Sequence, residues 1–162
     1  MKRISIILAF SFCIFSAIIP SGNFAFSQVP PDRGPLLNGD EGTQAKIAEV
    51  YGYPSPQKVL ELARSVNLSD EQKRTIVQIS EETLTRAKEL GKQIIKIEEE
   101  LNDALQTGLV NEKSVADDAQ QIGRLRGRLR GVFLNAHLKT KKVLTANQLE
   151  IYKKLNTAEA HK

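Results

Sequence analysis

From Ile76 to Ala104 a mainly apolar stripe recurs at steps of three and four: Ile76, Ile79, Thr83, Ala87, Leu90, Ile94, Ile97, Leu101 and Ala104. That period, sustained for about eight turns, predicts one long amphipathic helix. Its start is marked by Leu68-Ser69-Asp70-Glu71-Gln72, where Ser69 is the N-cap and Gln72 stands at the capping-box position. Asp70 and Glu71 in the first turn suit the helix dipole. Gln106-Thr107-Gly108 ends it. About 36 residues at 1.5 Å rise make a rod of roughly 54 Å, too long for a compact four-helix ball. A second rod, capped by Asn111 or Ser114, carries Val115, Ala119, Ile122, Leu125, Leu129, Val132, Ala136 and Val143 on one side. The joining loop is short, so the rods are expected to lie antiparallel as a hairpin.

Shorter elements flank the rods. Ser55 is a natural N-cap with Pro56 at the first helical position, and Val59, Leu60, Leu62, Ala63 and Val66 give an apolar face up to Asn67. After the second rod, Leu144-Thr145-Ala146-Asn147-Gln148 repeats the earlier pattern. Thr145 and Gln148 make a second capping box, with Leu144 and Leu149 placed for a hydrophobic staple. The helical region is expected over 55–156, with 157–162 a frayed tail. Residues 28–54 read differently. Three Pro and three Gly within 28–43, with no apolar period, predict a mobile arm. One or two helical turns over 44–51 are expected before Gly52-Tyr53-Pro54 breaks them.

The opening of the chain changes the composition of the rest. Lys2 and Arg3, an apolar block from Ile4 to Ile19, then small residues ending Ala25-Phe26-Ser27 read as a secretory signal cleaved after Ser27. The alternative is an uncleaved anchor, for which Ile4 to Ile19 falls short of the roughly 20 apolar residues a span needs. Cleavage leaves 135 residues, near the commonest domain size. It removes two bases and no acid, so the net charge drops from +4 to +2. Nucleic acid is therefore not expected as a partner. The only Cys and the only Met leave with the signal, which excludes disulfides, thiol chemistry and sulfur ligation of metals.

The two L-[ST]-x-x-Q copies, Leu68, Ser69 and Gln72, then Leu144, Thr145 and Gln148, stand on either side of a long helical hairpin behind a signal. Over residues 56–156 the chain resembles the Spy/CpxP (LTxxQ-motif) family of exported helical proteins. The resemblance implies an all-α fold, an elongated helical hairpin with short flanking helices that forms a curved antiparallel homodimer, or cradle. It also implies a periplasmic, ATP-independent chaperone (holdase) that binds unfolded or misfolded client proteins and is linked to the envelope stress response. Some members instead regulate envelope stress signalling, which would make the periplasmic domain of a sensor kinase the partner, and some relatives sense metals. The motif residues themselves fix where helices begin and carry no chemistry.

The segment from Gly123 to Gly131 offers the surface with most to explain. Gly123, Gly127 and Gly131 share one side of the helix, continued by Leu134 and Leu138 and flanked by Arg124, Arg128 and Arg130. Three interior glycines cost about 2.5–3 kcal/mol relative to alanine. The stripe would either let a second subunit approach closely or hold client segments; the bland alternative is a solvated charged face. The four arginines of the run, Arg124, Arg126, Arg128 and Arg130, alternate around the helix without interleaved aromatics and do not make a base-stacking surface. Their expected fate is solvation or pairing with Glu98, Glu99, Glu100, Asp103, Asp117 and Asp118. His137 and His161 share no helical face, so no metal site and no cofactor are expected, and a lone His137 reads as a polar surface residue. Neither a Ser-His-acid spacing nor a phosphate-binding Gly loop is present, so no catalytic residues and no enzyme activity are expected.

Overall fold

In the computed structural model, which describes residues 29–160, the helix signals fall where the backbone needs them. Six helices follow in order, α1 (Arg33–Asn38), α2 (Lys46–Val50), α3 (Pro56–Glu61), α4 (Asp70–Thr107), α5 (Glu112–Val143) and α6 (Ala146–Ala160), and there is no strand among the described residues. The chain is therefore all-α over that range. No helix there is long and apolar enough to cross a membrane. The expected signal, residues 1–27, and His161 lie outside the described residues.

Ser69 accepts from the backbone N–H of Gln72, whose side chain accepts from the N–H of Ser69, and α4 then runs for 38 residues, about 57 Å. It stops at Gly108, whose φ of 70° lies in the left-handed region that glycine enters without strain. The start of α5 uses both expected residues: Asn111 is the N-cap and Ser114 completes a reciprocal capping box. Helices α4 and α5 pack together along their length. Arg126 meets Glu98 and Lys139 meets Glu82, so they run in opposite directions.

Apolar residues collect in two clusters. The central one joins Ala87, Leu90, Ile94, Ile95 and Ile97 of α4 to Ile122, Leu125, Leu129 and Phe133 of α5, and also takes in Leu36 and Ala45. The second joins Val59 and Val66 to Ile76, Leu144 and Tyr152 at the end where α3 and α6 meet the long helices. Toward the α4–α5 loop burial fades. Val115 and Ala119 of the expected stripe are exposed, and Leu109 is 81% exposed, because among the described residues only α4 and α5 are there to cover one another.

Residues 29–54 correct the expectation of a mobile arm. They form a strap across the long helices, with Pro30, Leu36, Ala45, Ala48 and Pro54 buried. Asp32 accepts two hydrogen bonds from Arg126, at 2.7 and 3.1 Å, and Arg33 pairs with Glu99. Low apolar content did not prevent ordering because the strap borrows the core of α4 and α5. Its footprint also covers residues buried outside the predicted stripes: Gly91 and Ile95 on α4, Phe133 and His137 on α5. Two boundaries differ as well. Helix α3 ends at Glu61 and passes through turns to Asn67, whose φ of 52° closes the segment. Helix α6 continues to Ala160 through the expected tail, since Thr157-Ala158-Glu159-Ala160 holds no breaker.

Gly91 is required by the close approach of α1. A Cβ built on it would lie 2.2 Å from the carbonyl oxygen of Leu36. Gly91→Ala is therefore expected to lower stability by about 1–3 kcal/mol through overpacking, outweighing the gain of about 1 kcal/mol in helix propensity. Urea unfolding followed by circular dichroism at 222 nm checks this; an increase in stability would mean that the strap does not sit on Gly91.

Candidate functional site

The two L-[ST]-x-x-Q motifs, 76 residues apart, are brought face to face. In the first, Gln72 N–H donates to Ser69 Oγ at 3.1 Å and Ser69 N–H to Gln72 Oε1 at 3.1 Å. In the second, Gln148 N–H donates to Thr145 Oγ1 at 3.3 Å and Thr145 N–H to Gln148 Oε1 at 2.9 Å. Between them, Gln72 Nε2 donates to Gln148 Oε1 at 2.8 Å while Gln148 Nε2 donates to Gln72 Oε1 at 2.9 Å. Each Nε2 has a second acceptor in the carbonyl just before the other motif's leucine: Val143 for Gln72 and Asn67 for Gln148. Each amide thus uses two donors and two acceptor positions, its whole capacity. Gln148 is buried, Gln72 half-buried, and Leu68 and Leu144 pack in the apolar cluster around the pair. A Glu in either place would lack both donors. The motif residues are caps, as expected from their spacing, and the glutamines are also a lock that ties the start of α4 to the start of α6.

The Gly and Arg surface divides. Among the described residues nothing lies near enough to Gly123, Gly127 or Gly131 to touch an added Cβ. Arg124, Arg128 and Arg130 are exposed. Leu134 is half-buried against the central cluster, whereas Leu138 is exposed. Arg128, Gly131 and Leu138 line an open groove of about 1050 Å³ between α5 and α4, whose other wall includes Glu82, Arg86 and Glu89. One expected pair forms, Arg126 of the same run with Glu98, whereas three of the other expected acids pair outside the run: Glu99 with Arg33, Glu100 with Lys96 and Asp117 with Lys113.

His137 corrects the expectation of a surface histidine, being 0% exposed. Its Nδ1 lies 2.7 Å from the carbonyl oxygen of Tyr53 and its Nε2 3.0 Å from Glu41 Oε1. Burial pushes the imidazole down, but the Glu41 hydrogen bond, the Tyr53 carbonyl and the charges of Glu41 and Glu49 together outweigh it, so its pKa is raised above the ordinary value. A sequence signal existed: His137 follows Phe133 by four residues and precedes Thr140 by three, which places it on the side of α5 that carries Phe133. Its oxygen partners lie more than 80 residues away and no local pattern announces them. At the other end of the strap, the hydrogen bonds from Arg126 hold the Asp32 carboxyl below its usual range against the opposing effect of burial, and Asp32 and Glu98 raise Arg126 in turn.

Among the described residues no three His, Cys, Asp or Glu side chains converge as a metal cluster. No family model, curated protein or solved structure matches the chain.

A double-mutant cycle tests the glutamine lock. Gln72→Ala and Gln148→Ala are each expected to cost about 1–3 kcal/mol, since each leaves the other amide unsatisfied. The double variant is expected to cost less than their sum by 0.5 kcal/mol or more. Additive losses in chemical denaturation would mean that the two amides act independently.

Proposed function

We propose that this chain is an exported, non-enzymatic holdase of the Spy/CpxP type, an elongated helical hairpin that pairs into a cradle and binds partly unfolded proteins in the periplasm without ATP. The observation that carries the reading is the open groove between α4 and α5, where exposed Leu138 and the glycine at 131 lie beside Arg128, Arg86, Glu82 and Glu89. A surface mixing apolar contact with adaptable charge suits many segments of different sequence. Arginines add long-range attraction and planar hydrogen bonding, which favour capture over tight fit. The paired motifs support the same reading, because two spacings that resemble the family's signature meet in one reciprocal lock.

The three glycines are the second support. Among the described residues they have no contact that would require them, and alanine at each would favour the helix by about 1 kcal/mol. We assign the stripe to contacts with a second subunit or a client.

Purified protein lacking residues 1–27 is expected to suppress aggregation of a denatured model client at stoichiometric amounts without nucleotide, as read by light scattering. No protection over a range of salt would count against the holdase, and capture of one stoichiometric partner would favour a regulator acting on a sensor. Replacing Gly123, Gly127 and Gly131 together by Ala is expected to stabilise the chain by about 2.5–3 kcal/mol while weakening self-association or client protection. Stabilisation with both unchanged removes any role for the stripe.

A further inference from the structure

The strap is fastened at three places by three different means. Asp32 and Arg33 are tied by charge to Arg126 and Glu99, the backbone at Leu36 rests on Gly91, and Glu41 with Tyr53 closes on His137. The third fastening is particular about protons. A backbone carbonyl only accepts, so His137 Nδ1 must donate to Tyr53; an ionised carboxylate only accepts, so Nε2 must donate to Glu41. The imidazolium satisfies both at once. A neutral ring has one N–H, and its bare nitrogen would face an oxygen in a place that is closed to water.

We propose that residues 29–54 are a closing strap which the charged His137 holds down on α4 and α5, and which loss of that proton on alkalinisation releases, uncovering the apolar face that carries Ile95 and Phe133.

Groups of both signs surround the ring, and the two carboxylates of the strap favour its charged form. The strap supplies Glu41 and Glu49, and Lys46 lines the same cavity of about 510 Å³. Helix α3 supplies Lys58 and Glu61, which pair with each other, and α4 supplies the neutral Ser80 and Thr83. On α5, one turn beyond His137, Lys141 Nζ lies 3.7 Å from the centre of the Tyr53 ring. A histidine whose pKa is raised on docking contributes fully below its free value of about 6.5, and that contribution is lost as pH rises from there through the docked value. Asp32, lowered by Arg126, contributes above its ordinary range and loses the contribution in acid. The strap is thus held most firmly in mildly acidic solution. The Gln72–Gln148 lock beside Val143, at the end of α5, has no ionisable group, so its hydrogen bonds do not depend on protonation.

Hydrogen exchange read by mass spectrometry on the purified full chain, between pH 5.5 and 9 and corrected for intrinsic rates, tests the proposal. The N–H groups of Leu36, Asp40, Ala48 and Tyr53 donate to carbonyls within the strap and report on it. Their protection is expected to fall by up to about tenfold per pH unit from about pH 6.5 until the docked value is passed, while amides in the middle of α4 keep theirs. Glu41→Gln, which keeps a polar side chain without the charge, is expected to lower strap protection in mild acid and to flatten its pH dependence. Nitrogen-detected NMR of the His137 ring at pH 6 is expected to show both nitrogens protonated. Strap protection independent of pH, parallel loss in α4, or a ring carrying one proton at pH 6 would each overturn the proposal. The measurement involves no client, so it stands or falls apart from the holdase reading.

Discussion

Two long helices lying side by side can bury only the stripe each turns toward the other, and this shortage of neighbours governs the whole molecule. Alpha-helical packing places axes 8–10 Å apart, so a pair about 50 Å long has one dry seam and much uncovered flank. Near the α3 and α6 end, short helices supply the missing neighbours and build a second cluster around Ile76 and Tyr152. In the middle, the strap supplies them through Leu36 and Ala45. At the loop end no described residue does, and Leu105 and Leu109 are exposed. The gradient of burial along the rods is the gradient of available partners, more than of sequence hydrophobicity.

The covering elements are attached by opposite kinds of chemistry. The glutamine lock is neutral, uses its full hydrogen-bonding capacity, and sits beside the apolar cluster that contains Leu144 and Tyr152. Removing either amide leaves the other unsatisfied, a loss that screening by salt does not soften. The polar fastenings of the strap are instead charged: Asp32 with Arg126, Arg33 with Glu99, and Glu41 with His137. The first two pairs are partly open to solvent, where ion pairs contribute modestly and weaken with salt. A fold whose one end is closed by neutral amides and whose middle is covered by titratable groups separates a permanent joint from a conditional one.

Much of this was legible from spacing. Capping boxes at Ser69 and Thr145, the Asn111–Ser114 start, the Gly108 stop and the two apolar stripes all depend on residues within a few positions of each other, and the helices follow them. What was not legible depends on partners far along the chain. The cross-bonding of Gln72 and Gln148 requires the turns at Asn67 and Leu144 to bring two helix starts together, which no local rule supplies. The strap was misread because its own composition is poor in apolar residues, and its ordering comes from a surface contributed by α4 and α5. His137 was misread for the same reason: its neighbours on α5 place it at the edge of a stripe, and only the strap turns that edge into an interior.

The glycines carry the argument furthest. Gly91 and Gly127 both occupy long helices where alanine would serve the backbone better, yet their surroundings differ. Gly91 is explained within the chain, since the Leu36 carbonyl occupies the space a Cβ would take. Gly123, Gly127 and Gly131 face open space on the opposite account, and Gly131 opens onto the groove lined by Arg128 and Leu138. If small residues were there merely by tolerance, there would be no reason for them to recur every fourth position on one side. Gly91 has its cause in the strap, whereas no described residue accounts for the stripe, which leaves it to whatever approaches α5 from outside.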